Sequence, residues 1–208
     1  MPIADFDLYL VTDRTQTQGR DLLEVLEEAL EGGARAIQLR EKDLTGSELF
    51  TLAEKARNLC RRYDALLFVN DRVDVAIAVE ADGVQLGTAS IPVETARDLL
   101  GRGKIIGAST HSLREANEAA QRGADFILFG PVYFTPSKAA YGSPQGLDAL
   151  QMIVEKISLP VYAIGGLKPE NIESVRRIGV RGVALVSAIM SANNPNEATK
   201  SILSYFRG

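Results

Sequence analysis

Two kinds of segment alternate along the chain from end to end. Short apolar runs recur at 8–11, 36–39, 66–69, 83–86, 104–108, 126–129, 161–164 and 183–186, each too brief for a helix of its own. Between them lie longer stretches with helical spacing. In LFTLAEKARNLCRRY, for example, Leu49, Leu52, Ala53, Ala56, Leu59 and Cys60 fall on one face. The runs are apolar on both faces instead of alternating, which predicts a parallel sheet covered by helices on both sides. Eight β-α units follow one another.

Four of the strand entries look like variants of one another: GGARAIQLR (32–40), EADGVQLG (80–87), RGADFILFG (122–130) and IGVRGVALVS (178–187). They fall on every second strand, and repetition every two units favours an α/β fold of the TIM (β/α)8 barrel type, one compact domain over residues 1–208. An open doubly wound sheet is the alternative. At 208 residues the chain is short for such a barrel, typically about 250 residues, so its connections must be lean. Against that economy FGPVYFTPSKAAYGSPQG (129–146) stands out. A long loop after a strand C-terminus of a β-α barrel is where function is expected.

Composition narrows the function classes. With 46% hydrophobic and 24% charged residues the chain can bury a full core. A net charge of -4, a pI near 5.2 and the absence of a Lys/Arg block argue against nucleic acid as a partner. No run of about 18 apolar residues and no basic leader occur, so neither a membrane nor a targeting segment is expected. The single cysteine, Cys60, excludes an internal disulfide framework, reads as core packing and fits a reducing compartment, with cytoplasm the expectation. Homo-oligomerisation is left open.

The strand ends carry the chemistry. In QLREK, after strand two, Gln38, Arg40 and Lys42 share one orientation and Leu39 and Glu41 the other, which puts a cationic pair at the barrel mouth. VND after strand three offers Asn70 and Asp71, and GASTHS after strand five offers Ser109, Thr110, His111 and Ser112. Ser112 with Glu115 reads as a capping box. The G-x-S-x-G pattern of a nucleophile elbow is missing. The loop after strand six adds Thr135, Ser137 and Lys138, two hydroxyls and an ammonium suited to phosphate oxygens. Gly165 and Gly166 after strand seven, and Ser187 opening the final helix after strand eight, lie where this fold binds phosphate. The rim therefore reads as a site for two phosphorylated small molecules and a divalent ion.

Taken together, QLREK, VND, GASTHS, GPVYFTPSK, AIGG and LVSAI resemble the thiamine phosphate synthase family, with its relatives the thiazole tautomerases. The resemblance runs in order through nearly the whole chain. It implies a barrel that joins hydroxymethylpyrimidine pyrophosphate to thiazole phosphate with magnesium, releasing pyrophosphate. It also implies that Gln38, Arg40, Lys42, Asn70, Ser109 and Lys138 hold the pyrimidine pyrophosphate, with Arg40 and Lys138 stabilising the leaving group electrostatically. Thr135, Pro136, Ser137, Gly166, Val186 and Ser187 would line the thiazole phosphate site, and Asp71 would bind magnesium.

One position departs from the pattern. Three residues beyond LG the synthases commonly place a second magnesium-binding aspartate, and here Ser90 stands there. The tautomerases tend to lack that aspartate but carry a histidine where this chain has Pro131. The synthase reading is therefore preferred, with a tautomerase-like isomerase, or a non-catalytic barrel binding thiamine precursors, as alternatives. Glu41 and Asp82 are the acids that could compensate at the metal. Residues 135–145 are expected to act as a lid.

Overall fold

Strands 4–6 residues long, β1 Leu8–Val11, β2 Ala36–Leu39, β3 Leu66–Asn70, β4 Gly83–Leu86, β5 Ile105–Thr110, β6 Phe126–Phe129, β7 Val161–Ile164 and β8 Gly182–Leu185, pair in parallel and in chain order in a computed structural model. The structure describes residues 4–136 and 143–206. β8 closes on β1 with Leu8 opposite Val183 and Leu10 opposite Leu185, so the sheet is a complete eight-stranded barrel and the open-sheet alternative is excluded. The helices are α1 Leu22–Glu31, α2 Gly46–Arg62, α3 Val73–Ala78, α4 Val93–Leu100, α5 Leu113–Gln121, α6 Gly146–Lys156, α7 Pro169–Arg176, α8 Ser187–Met190 and α9 Pro195–Ser204.

Several expected boundaries move: β3 runs one residue further, to Asn70, and β8 is shifted one residue back, to 182–185. The fifth strand begins after Lys104, whose ammonium instead reaches the Ala81 carbonyl (2.7 Å), and it runs on to Thr110. It can do so because Ser109 and Thr110 find partners within the barrel wall: Ser109 Oγ accepts from Gln85 Nε2 (3.1 Å) and Thr110 Oγ1 donates to the Leu128 carbonyl (3.1 Å). Ser187 opens only the four-residue α8, and α9 is a further helix. α9 seats against α1 where Gly32 has no side chain: a Cβ there would lie 2.5 Å from the Asn196 carbonyl.

Period two along each strand sorts the core. Leu8, Leu10, Ile37, Leu39, Leu67, Val69, Val84 and their neighbours pack with the helices. Phe6, Tyr9, Phe68, Phe126 and Tyr162 fill the barrel itself. Phe126 is central, edge-on to Tyr9, Phe68 and Tyr162 at centroid distances of 5.6, 5.7 and 5.3 Å; such pairs contribute about 0.5–1.5 kcal/mol each beyond burial. Gly83, Gly107 and Gly182 make this possible, because a Cβ at each would collide with the ring of Phe68, Phe126 or Tyr162. Large residues opposite small ones fill the taper.

The repeated strand entries have a physical cause at the N-terminal end of the barrel. Asp82 before β4 pairs with Arg57 of α2 (2.5 Å) and accepts the Leu67 amide (2.8 Å). Asp125 before β6 does the same with Arg97 of α4 (2.5 Å) and the Ile106 amide (2.7 Å). Each acid staples a helix and a neighbouring strand together. Cys60 is buried on α2 and its thiol is pushed up to about 12 by desolvation, in keeping with packing alone.

Candidate functional site

Above the aromatic layer the inward positions turn polar. Gln38 is 2% exposed, and its Nε2, the Gln85 Oε1 and the Tyr9 hydroxyl are buried without a hydrogen-bond partner. Desolvation raises the Tyr9 phenol far above its usual range, so Tyr9 is a neutral hydroxyl. The Gln38 side chain lies close enough to the phenol to oppose that rise, so these buried polar groups answer one another beneath the mouth of the barrel. Gln85 was not singled out from the sequence, although EADGVQLG aligned on GGARAIQLR sets it against Gln38.

Arg40 continues the inward parity of Ala36 and Gln38. It is partly buried, its amide donates to Thr12 Oγ1 (2.9 Å), and among the described residues its guanidinium makes no hydrogen bond or ion pair. Every other arginine here that is not fully exposed is engaged: Arg14, Arg57, Arg72, Arg97 and Arg181 by carboxylates, Arg20 by carbonyls. Lys42, exposed, is likewise without a partner among the described residues. Asp13, after β1, lies close enough to Arg40 to feel its charge. Partial burial opposes ionisation of Asp13, yet hydrogen bonds from Thr15 and Gln16 and the Arg40 charge hold its carboxyl below the usual range.

After the neighbouring strand, β3, Asp71 takes a left-handed conformation (φ 58°), which aspartate tolerates better than most residues. Its Oδ2 accepts from Asn70 Nδ2 (2.9 Å), and its Oδ1 accepts from the Gly87 amide (3.3 Å) and from the Ser90 hydroxyl. The Gly87 amide also reaches Ser90 Oγ (2.6 Å). Residues from the ends of β3 and β4 thus converge on one carboxylate. Neither compensating acid is placed to join it. Asp82 sits at the opposite end of the barrel with Arg57, and Glu41 is folded onto Thr12 and Arg14. Among the described residues no three His, Cys, Asp or Glu side chains converge.

Ser109 faces the barrel interior beside Gln85, whereas Thr110 is buried in the wall and does not reach the mouth. The Ser112 hydroxyl accepts from the Glu115 amide (3.2 Å), as a helix cap should, but the Glu115 carboxylate goes to the His111 amide (2.8 Å) and Nδ1 (3.0 Å) in place of closing a box on Ser112. That pairing holds the imidazole by Nδ1, and among the described residues no serine hydroxyl bonds to His111.

The long loop is tied at both ends. Val132 and Tyr133 amides donate to Ile164 and Gly165 carbonyls (2.9 and 3.0 Å), and Gln145 and Gly146 amides return to Pro131 and Val132 (2.8 and 3.1 Å). Gly165 and Gly166 were expected to make room for a ligand. The space beside them is filled by this loop: a Cβ at Gly165 would lie 2.5 Å from Pro131 Cβ, and one at Gly166 2.7 Å from Tyr133 Cβ. Thr135 is partly buried and Pro136 exposed above β6, while Ser137 and Lys138, with most of the expected lid, lie outside the described residues. Val186 and Ser187 lie at the end of β8, partly buried and exposed respectively. A groove of about 490 Å³ lined by Asp7, Arg181 and Phe206 among others is at the opposite end, away from all these residues.

A family profile described as thiamine monophosphate synthase matches residues 8–189. The chain is 52% identical over 203 residues to a putative thiamine-phosphate synthase of Geobacter sulfurreducens, covering 98% of this chain and 95% of that one. It is 44% identical over 199 residues to a thiamine-phosphate synthase of Alkaliphilus oremlandii, covering 96% and 95%. Among solved structures, a thiamine phosphate pyrophosphorylase from Pyrococcus furiosus superposes with a TM-score of 0.89 at 43% identity, covering 98% and 96%. A 3-hexulose-6-phosphate synthase at 19% identity and TM-score 0.70 shares the barrel alone.

Proposed function

Since the chain belongs to the thiamine monophosphate synthase family, we propose that it condenses hydroxymethylpyrimidine pyrophosphate with hydroxyethylthiazole phosphate to thiamine phosphate and pyrophosphate, using magnesium. The carrying observation is the partly buried, unpaired Arg40 beside Lys42 at the mouth of the barrel. A partly buried guanidinium that makes no hydrogen bond of its own keeps its fork of donors open to an anion.

The step needs no proton shuttle. The carbon–oxygen bond to the diphosphate breaks with its electron pair leaving on oxygen, and the thiazole nitrogen lone pair forms the new bond to the same carbon. Arg40 and Lys42 meet the charge that grows on the departing diphosphate, with Lys138 in the same role from the loop. Gln38, Gln85 and Ser109 orient the pyrimidine from below, and Asn70 sits at the edge of the diphosphate. Thr135, Pro136, Ser137, Val186 and Ser187 receive the thiazole phosphate, with Gly166 holding the loop beside them rather than opening space for the ligand.

Asp71 fits magnesium as a single carboxylate, held by N–H groups of Asn70 and Gly87 and by the Ser90 hydroxyl, for a hard cation that keeps several waters and takes its remaining ligands from phosphate. Asp71 would hold the ion, which would neutralise diphosphate oxygens when bound. Ser90 would orient Asp71 without adding charge. Ser90→Asp is therefore expected to lower the magnesium concentration for half-maximal rate by about tenfold, since affinity follows ligand charge count. Without metal the paired carboxylates should repel and lower the unfolding midpoint, and magnesium should restore it; a thermal-shift titration reads both.

Purified protein with both substrates and magnesium, followed by chromatography, is expected to yield thiamine phosphate that disappears in EDTA. No thiamine phosphate under those conditions would overturn the synthase reading, and product insensitive to EDTA would overturn the role of the metal.

A further inference from the structure

An acid between two phosphate-binding cations is a physical puzzle, because a carboxylate at Glu41 should weaken the field of Arg40 and Lys42. The structure shows where that charge goes. The Glu41 side chain is 2% exposed and turned away from the mouth onto the turn after β1. Its Oε1 accepts from Thr12 Oγ1 (2.6 Å), both of its oxygens accept from the Arg14 amide (3.2 and 3.1 Å), and Arg14 Nη1 reaches Oε2 (3.3 Å). Thr12 Oγ1 in turn accepts the Arg40 amide (2.9 Å). One relay therefore runs from the Arg40 backbone through a buried hydroxyl to the Glu41 carboxylate. Asp43, one position past Lys42, accepts from both Arg14 Nη1 and Nη2 at 2.6 Å.

Residues 40–43 thus alternate in partnership: Arg40 and Lys42 unpaired, Glu41 and Asp43 fastened to Arg14. We propose that Glu41, with Thr12 and Arg14, is a positioning residue for the diphosphate cations. It fixes the backbone from which Arg40 and Lys42 project, and it spends its own charge on Arg14 so that theirs stays free for the ligand. The proposal rests on the synthase reading for the identity of the ligand and on the network alone for the geometry. Anion sites need their side chains held to a fraction of an ångström by such supporting hydrogen bonds.

Glu41→Gln is the informative variant. It keeps the volume, and Arg14 retains Asp43, so no buried cation is orphaned. The expected result is a KM for the pyrimidine pyrophosphate raised on the order of tenfold, with the KM for the thiazole phosphate and the unfolding midpoint little changed. The dissociation constant for inorganic pyrophosphate with magnesium, measured by calorimetry, should rise in parallel. Thr12→Val, which cuts the relay and adds no charge, should reproduce the loss, and Thr12→Ser, which keeps the hydroxyl, should restore it. In an Arg40→Ala background Glu41→Gln should add little, since the two act as a unit.

Unchanged pyrophosphate binding in both Glu41→Gln and Thr12→Val would overturn the proposal. So would a full additional loss in the Arg40→Ala background, or a uniform rise in both KM values with a lowered midpoint. Absence of thiamine phosphate from the unaltered protein, with pyrophosphate binding still weakened by Glu41→Gln, would overturn the synthase reading and uphold the positioning role.

Discussion

Asp71→Asn is expected to lower the condensation rate by roughly 100-fold at saturating substrates and fixed magnesium. A metal that neutralises developing phosphate charge supplies several kcal/mol, and each 1.36 kcal/mol is about tenfold in rate. The substitution is chosen because it leaves the fold alone. Asparagine accepts the left-handed conformation that Asp71 adopts at φ 58°. Its carbonyl oxygen can keep the bonds from the Gly87 amide and the Ser90 hydroxyl. What is removed is the negative charge, with the bond from Asn70 Nδ2, in a chain whose second expected metal ligand is the neutral Ser90. With no other carboxylate converging on the site among the described residues, nothing should compensate. Steady-state rates over a magnesium titration, with unfolding midpoints for both proteins, provide the check; a rate within threefold of the parent would take Asp71 out of the metal site.

The second large effect is on stability. Gly83→Ala is expected to destabilise the barrel by about 3 kcal/mol, at the upper end of overpacking costs, which for a chain of this size lowers the unfolding midpoint by roughly 6–12 °C. Gly83 pairs with Ile105 on one side and Phe68 on the other. A Cβ there would strike the Ile105 carbonyl group and lie 2.9 Å from Phe68 Cδ1. A backbone carbonyl in a closed ladder cannot step aside, and the ring is locked among Phe6, Tyr9 and Phe126. Gly103→Ala is the control, since a Cβ there meets nothing within 4 Å. Equal midpoints for the two variants in thermal unfolding would show that the barrel interior is looser than its packing implies.

How far this architecture could be read in advance depended on the range of the interaction. Strands apolar on both faces announce a covered parallel sheet, and a motif returning on every second strand announces closure, so the barrel was legible. Period two alone placed Gln38 and Arg40 on one side of β2. Boundaries slipped where a polar residue found a partner on another strand, as Ser109 did at Gln85 and Thr110 at Leu128. The grouping of Asn70, Asp71 and Ser90 spans two loops and was legible through family resemblance. Gly165 and Gly166 were read for ligand approach, and what presses on them is the neighbouring loop. Thr12 and Arg14 escaped notice, and Glu41 was read as an acid for the metal, because none of them is unusual by itself. Their meaning lies in contacts across 27 to 29 positions of sequence.

The aromatic layer has a bearing on traffic as well as on packing. Phe6, Tyr9, Phe68, Phe126 and Tyr162 seal the barrel axis beneath Gln38 and Gln85, so no path runs through the barrel from end to end. Two substrates must arrive, and two products depart, through one doorway. The ligand that settles deepest is then the first in and the last whose remnant can leave.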